Sequence, residues 1–442
     1  SVSKPFLASV VMALVDQGKL TLDDPVEKYL PEFKDMKVKG GKHLARRMTI
    51  RHLLSHTAGF WGNKGISADK LDLIRNFRRP LGEAVGRMAT YELEYQPGTK
   101  FVYSGSGFCV AGVITIMLQL SQIQLAPGAE AFDHTFAAGT LTVVLGRNRS
   151  GKTNLCRLVA GLACSATGQV ALNDRSLSVQ LPQSRSVAVV FQAFVNYPNW
   201  TVAENIASPM RAQGVAWRDR EARAKQLAKV LGLEAFLQRL PNELSGGQQQ
   251  RLAIARAMAQ QAQVLVLDEP LVNLDYKLRE SLVLELQGAL QQAGTAVIYT
   301  STDPKDAFAL GDELVLLDGH TKLQSGKPLE VYRYPQNYMA ADLMSDPGVN
   351  AFTTQATLVA AARKAAVRPE HVYLADSARF DDVSEFKMEV QGLETSGDET
   401  FIHGSVDGNS WVVRRPGMVN VKPGQRLAVI VRKGDIMRFG VA

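Results

Sequence analysis

A chain of 442 residues with 46% hydrophobic and 21% charged side chains is long enough for two to four domains and too apolar to stay disordered. The net charge of +7 is mild for this length; it does not argue for nucleic acid and suits a nucleotide, a phosphate or an anionic membrane surface. Three cysteines, Cys109, Cys156 and Cys164, form no CxxC pair, which excludes a metal or disulfide framework and fits a reducing compartment.

In chain order, the first predicted element is a helix over Phe6–Asp16, followed by a turn at Gly18 and a Gly/Lys/Arg-rich stretch around Lys37–Arg47. The apolar run Phe108–Leu118 is too short to span a bilayer and predicts a buried helix. From residue 117 to about 345, apolar runs alternate with amphipathic helical patterns. Leu141–Leu145, Val187–Phe191, Val264–Leu267 and Ala296–Thr300 are the clearest strands. Such alternation predicts an α/β domain with a largely parallel sheet. From about Asp346 the texture changes to short strand-like runs with Gly turns: Met388–Val390, Thr400–His403, Trp411–Val413 and Leu427–Val431. These predict a small all-β, barrel-like domain. No signal peptide is visible, and the chain begins at Ser1 without methionine, so a missing natural start is expected.

Ser1-Val-Ser-Lys4 fits SxxK, a spacing that at a helix start places a serine nucleophile beside a lysine base. Gly18–Pro25, Thr49–Gly59 and Pro97–Ser104 follow it. Together these strings resemble the serine β-lactamase, penicillin-binding-protein and esterase family. The resemblance implies Ser1 as nucleophile, Lys4 as its activator and Tyr103 as second base. Gly105 stands where the family's Tyr-x-Asn has its Asn, and no Lys-Thr-Gly or His-Gly equivalent follows. Residues 1–116 are therefore expected to be a truncated fragment with exposed apolar faces, no active site and no β-lactam or ester hydrolysis. A joined reading frame explains it better than a functional fusion.

Gly146-Arg147-Asn148-Arg149-Ser150-Gly151-Lys152-Thr153 fits GxxxxGK[ST], between the strand Leu141–Leu145 and the helical run Asn154–Leu162. That is the context a phosphate-binding loop requires. Gly146 and Gly151 let the backbone N–H groups face phosphate oxygens, and the helix N-terminus adds a favourable dipole. Lys152 would reach the β- and γ-phosphates, and the Thr153 hydroxyl would ligate Mg²⁺. Downstream, Val264-Leu-Val-Leu-Asp268-Glu269 is a buried-strand pattern ending in two acids. A parallel sheet would bring both carboxylates to the edge beside the loop. Asp268 would hold Mg²⁺ through water, and Glu269 would act as general base on the attacking water.

Leu244-Ser245-Gly246-Gly247-Gln248 lies between these two motifs. The order of the three resembles the ABC-transporter ATPase family, in which this signature caps ATP bound to the opposite subunit. The resemblance places Gln192 as the Q-loop glutamine that contacts Mg²⁺, and Asn273–Asp275 as the D-loop. It likens Asn196–Ile206 to the importer segment near the permease's coupling helix. It also exposes a departure: Thr302 stands where the family carries its switch histidine. A threonine cannot stand in for an imidazole hydrogen-bonded to the γ-phosphate and the attacking water, so hydrolysis at this chain's own loop is expected to be weak. The same departure resembles one member of paired importer ATPases for sugar- and glycerol-type solutes. No aromatic residue for stacking on adenine occurs in Ile123–Gly128.

Val367-Arg-Pro-Glu-His371 resembles the marker of the accessory OB/TOBE-like domain in maltose-type and glycerol-phosphate-type importer ATPases, with His371 read as structural. The expected fold is therefore a P-loop ABC cassette (117–345), an all-β OB/TOBE-like domain (346–442) and an incomplete β-lactamase-like segment (1–116). The expected cofactors are ATP and Mg²⁺. The expected partners are permease subunits in the membrane, a second ABC ATPase in a heterodimer and, indirectly, a substrate-binding protein, with no nucleic acid. The expected location is the cytoplasmic face of the inner membrane, as a peripheral protein. The competing reading is a serine hydrolase or penicillin-binding-like protein acting through Ser1 and Lys4, against which the missing third motif argues.

Overall fold

The computed structural model of the chain describes residues 3–16, 20–62, 66–75, 81–114, 117–165, 167–173, 175–178, 180–193, 195–271, 295–353, 364–376 and 380–439. Five helices dominate the first region: α1 (Ser3–Asp16), α2 (Ile50–Leu54), α3 (Ala68–Arg75), α4 (Leu81–Ala89) and α5 (Ser106–Ile114). A short hairpin of β1 (Lys37–Val38) and β2 (Lys42–His43) lies between the first two. Helices α2 and α4 both pack on α5. Val26, Leu30, Ile50, Leu53, Trp61, Val85, Met88, Leu93 and Val110 are all buried. The expectation of exposed apolar faces is thus corrected. These buried apolar side chains join a core that continues into the cassette, and among the described residues of this region only Met12, Phe101 and Tyr103 are exposed large apolar side chains. The region also lies against the cassette. Gly139 has φ +66°, and a Cβ there would stand 2.5 Å from the Tyr29 carbonyl oxygen, so only glycine fits.

Helix α5 ends at Ile114, and Leu118 already belongs to β3 (Met117–Ile123). The predicted single helix over Phe108–Leu118 is therefore split. Pairing of β3 with β4 (Phe132–Ala137) and β6 (Gln169–Leu172) draws the end of the run into an antiparallel sheet, which β7 (Arg175–Ser176) completes.

The central sheet explains the position of the site. β5 (Leu141–Leu145) is buried at all five positions, the pattern of a strand covered on both faces. It lies between β11 (Glu313–Asp318) and β10 (Ala296–Ser301), and β9 (Val264–Leu267) and β8 (Val187–Val190) continue the sheet. These five strands are parallel, and β12 (Thr321–Gly326) adds an antiparallel edge. A parallel sheet carries all its strand C-termini on one edge, where ligands bind. Helix α6 (Lys152–Ala160) follows β5 directly, while α7 (Val202–Ala212), α8 (Trp217–Val230) and α9 (Gly246–Ala259) form a helical group in which α7 packs on both others. Arg185 fastens the far end of α6: its Nη1 donates to the Leu158 and Val159 carbonyls at 3.1 and 3.0 Å. Arg185→Ala should lower cassette stability by about 2 kcal/mol, read as a lower urea midpoint at unchanged slope.

Helices α10 (Pro304–Leu310), α11 (Pro328–Arg333) and α12 (Tyr338–Leu343) lead to the C-terminal region. There β13 (Asn350–Thr353) and β14 (Lys364–Val367) form a small antiparallel sheet with β20 (Met437–Phe439). A second antiparallel sheet follows the order β15 (Val372–Leu374), β19 (Arg426–Arg432), β16 (Val383–Thr395), β17 (Glu399–Val406), β18 (Asn409–Pro416). The Val367–His371 segment ties this region to the cassette. Arg368, 4% exposed, donates to the Tyr332 carbonyl and to Ser345 Oγ, and its guanidinium lies 3.7 Å over the Tyr332 ring. The Tyr332 hydroxyl donates to Glu370. His371 lies 4.0 Å from Asp435, in keeping with a structural reading.

Candidate nucleotide site

The loop after β5 is shaped for something that is not protein. At Gly146 a Cβ would lie 2.4 Å from both the Leu317 carbonyl oxygen and Ser150 Oγ, so the close approach admits glycine alone. Arg149 and Gly151 take φ +65° and +105°, the left-handed turns that aim successive N–H groups into one concavity. Ser150 Oγ is buried with no hydrogen-bond partner. A cradle closed to a Cβ and an orphaned hydroxyl fit a phosphate group. Lys152, 3% exposed, lies at its mouth. Its Nζ donates to the Gly146 and Arg147 carbonyls at 2.6 and 2.9 Å and pairs with Glu269 Oε1 at 3.2 Å. Arg147 is ion-paired with Asp342 on α12, and Asn148 and Arg149 are exposed.

The two acids stand at the end of β9, as the strand pattern predicts. Asp268 is 2% exposed. Its Oδ1 accepts from the Thr153 hydroxyl at 3.4 Å and from the Thr300 hydroxyl at 3.0 Å. An all-oxygen set of this kind suits a hard cation such as Mg²⁺, which takes one or two carboxylates and completes its shell with phosphates and water. Among the described residues no cluster of three or more His, Cys, Asp or Glu forms a metal cage of protein groups alone. Beneath Asp268, burial first and then the neighbouring carboxylate push the Cys156 thiol well above its usual range, so it stays protonated and inert. Glu269 has φ +47°, and its N–H donates to the Thr300 hydroxyl at 2.8 Å. A cavity of about 20 Å³ beside it is lined by Glu269, Leu271 and residues 299–302 with Asp306, enough for one water. Thr302 is exposed at its rim.

The signature forms a capped helix end. Ser245 Oγ accepts the Gln248 N–H at 3.4 Å, and Gln248 Oε1 accepts the Ser245 N–H at 2.9 Å, which closes a capping box on α9. Ser245 and Gly246 are exposed, and nothing lies within 4 Å of where a Gly246 Cβ would be. Gly247 is buried against the helical group. Among the described residues, no hydrogen bond or ion pair joins 245–248 to the phosphate loop. Gln192 is exposed just past β8, near exposed Val195 and Tyr197. Asn273–Asp275 fall outside the described residues.

In the N-terminal region, Lys4 and Tyr103 do meet: Lys4 Nζ lies 3.6 Å over the Tyr103 ring and donates to the Ser104 carbonyl at 3.3 Å. His56, which the motif reading passed over, stacks 4.6 Å from Tyr103 and accepts the Ser104 N–H on Nδ1. Burial and then Lys4 push its imidazole below the usual range. Ser1 falls outside the described residues.

Three family models match the chain: Beta-lactamase over residues 1–115, ABC transporter over 130–272 and TOBE domain over 365–439. The sn-glycerol-3-phosphate import ATP-binding protein UgpC of Chromobacterium violaceum is 33% identical over 341 residues, 71% of this chain and 91% of that protein. The sulfoquinovosyl glycerol transport ATP-binding protein SmoE of Agrobacterium fabrum is 33% identical over 325 residues, 68% of this chain and 90% of that protein. Among solved structures, cbiO1 from Clostridium perfringens, part of an ABC transporter complex, matches at a TM-score of 0.45 with 20% identity, over 49% of this chain and 90% of that chain. With a phosphate loop, an acid pair and a signature helix folded as described, and with relatives matched over nine-tenths of their length, the chain belongs to the ATP-binding proteins of ABC transporters, ATPases coupled to transport.

Proposed function

We propose that this chain is the nucleotide-binding subunit of an importer for a sugar, polyol or glycerol-type solute, working at the cytoplasmic membrane face with permease subunits and a solute-binding protein. The observation that carries the reading is the convergence of Lys152, Thr153, Asp268 and Glu269 on one glycine-built cradle. The loop residues 146–153 hold the phosphates, and Thr153, Asp268 and Gln192 provide the oxygen ligands for Mg²⁺, which supplies charge neutralisation when bound. Glu269 takes the proton of a water held in the cavity beside it. Among the described residues no helix is long and apolar enough to cross a membrane, which accords with a peripheral subunit. The cassette runs over 117–345 and the accessory domain over 346–442, with 1–116 a truncated fragment that takes no part in the chemistry.

The site is half of a pair. The tip of α9 turns Ser245 and Gly246 to solvent and, with Gly247 and Gln248 behind them, lends its N–H groups to the nucleotide of a second ATPase. The chain's own site is the weaker one, because the rim residue Thr302 cannot span the cavity as an imidazole would. Steady-state phosphate release tests this. The isolated chain should turn over slowly and its mixture with the partner ATPase quickly. Thr302→His should raise the isolated rate by about tenfold or more. Robust turnover by the unmodified isolated chain would count against the weak site and the heterodimer together.

A further inference from the structure

We propose that Thr300 is a positioning residue for this site, setting the metal-side and the water-side carboxylates in one fixed geometry. The inference rests on the reading of Asp268 and Glu269 given above. Thr300 sits on β10, the strand between the phosphate loop and the acid pair. It is paired with Val144 of β5, and the parallel register Tyr299↔Leu267 sets it level with Asp268. Its side chain is fully buried, and branching at Cβ makes its rotamer stiff. A hydroxyl carries one proton and two lone pairs. Here the proton goes to Asp268 Oδ1 at 3.0 Å, and a lone pair accepts the Glu269 N–H at 2.8 Å. One atom therefore controls both acids.

The backbone at Glu269 shows why that control is needed. A φ of +47° at a non-glycine residue persists only where the surroundings over-determine it. The Thr300 hydroxyl is the acceptor that holds this amide. The next residue points its own hydroxyl elsewhere: Ser301 Oγ donates to Asp306 on α10 at 2.6 Å. Strand alternation thus gives Thr300 alone to the acids. Asp268 Oδ1 is approached by Thr153 from the phosphate loop and by Thr300 from β10, so it is fixed from two elements before a cation arrives.

The test is a Mg²⁺ titration of fluorescent-ATP binding to the full chain. Thr300→Val keeps the shape and removes the hydroxyl; Thr300→Ser keeps the hydroxyl. Thr300→Val should raise the half-saturating Mg²⁺ concentration by about 10- to 100-fold, the usual penalty for losing a group that orients a metal ligand, with nucleotide binding in EDTA unchanged. Thr300→Ser should stay close to wild type. Thr300→Ala should repeat the valine result, and it carries the test if the valine chain does not fold. An unmoved Mg²⁺ midpoint in the valine or alanine chain would overturn the proposal. So would a serine chain that falls as far as they do, since packing alone would then explain the loss. Asp268→Asn in the same assay separates the two levels. If it leaves the midpoint unmoved, the assignment of Asp268 to the metal fails, and the role of Thr300 falls with it. If it shifts the midpoint while Thr300→Val does not, only the role of Thr300 fails.

Discussion

A Lys152→Ala chain is expected to bind ATP about 100-fold more weakly, a loss of about 2.8 kcal/mol. The ammonium is already aimed: two loop carbonyls and Glu269 hold it, at 2.6, 2.9 and 3.2 Å, at the mouth of the cradle. An arriving polyphosphate meets a cation that has lost its rotamer freedom beforehand, so little entropy remains to be spent on binding. Charge-assisted bonds to phosphate oxygens are about twice as strong as neutral ones, and alanine removes them while leaving the backbone N–H groups in place. Arginine should not rescue. Its planar fork cannot occupy the space between the Gly146 and Arg147 carbonyls that a compact ammonium fills. Titration with a fluorescent nucleotide reads the loss, and a nucleotide-free melt checks that the variant folds. An affinity equal to wild type would remove the basis for the functional reading.

Trp411→Ala should destabilise the C-terminal domain by about 4 kcal/mol, the upper range for truncating a buried aromatic side chain. The indole is fully buried. It packs against Phe386 and Phe352 at ring distances of 4.9 and 5.6 Å, and its Nε1–H donates to the Ala351 carbonyl at 3.1 Å. That bond joins β18 of the five-stranded sheet to β13 of the three-stranded one, so the residue closes the two sheets on each other. A truncated side chain leaves both a void and a buried carbonyl without its donor. For a domain whose whole stability is about 5–15 kcal/mol, the change approaches global unfolding. Circular dichroism during urea denaturation, which does not depend on the deleted indole, would show an early transition from the β-rich C-terminal domain, while the cassette keeps its own midpoint and its ATP binding. A single transition close to wild type would contradict the placement of Trp411 at the centre of this core.

The contiguous motifs were legible because their chemistry is local. GxxxxGK[ST] needs only a strand before it and a helix after it, and Leu141–Leu145 and Lys152–Ala160 supply them. The apolar run ending in Asp268-Glu269 can only be a buried strand that delivers two acids to an edge. The signature Leu244–Gln248 was legible as a string, and the structure shows it as the capped start of α9. The Phe108–Leu118 run misled, since its apolar content does not say where helix gives way to strand; pairing of β3 with β4 and β6 decides that. The N-terminal region misled in another way. Its apolar faces were expected to be exposed, yet Leu53, Val85, Met88 and Val110 are buried in a core that continues into the cassette.

By itself, then, the chain's order of residues determined the family, the glycine-bounded loop between a strand and a helix, the acids at the end of a buried strand and the helix that opens at the signature. Each depends on neighbours a few positions apart. Tertiary structure alone decided that Lys152 pairs with Glu269, that Arg368 clasps Tyr332 and that one hydroxyl on β10 binds both acids. Those partners lie tens or more than a hundred positions apart, and tertiary packing rather than local spacing brings them together. Thr300 in a run of β-formers reads as ordinary strand; only the parallel alignment of β9 with β10 sets it level with Asp268.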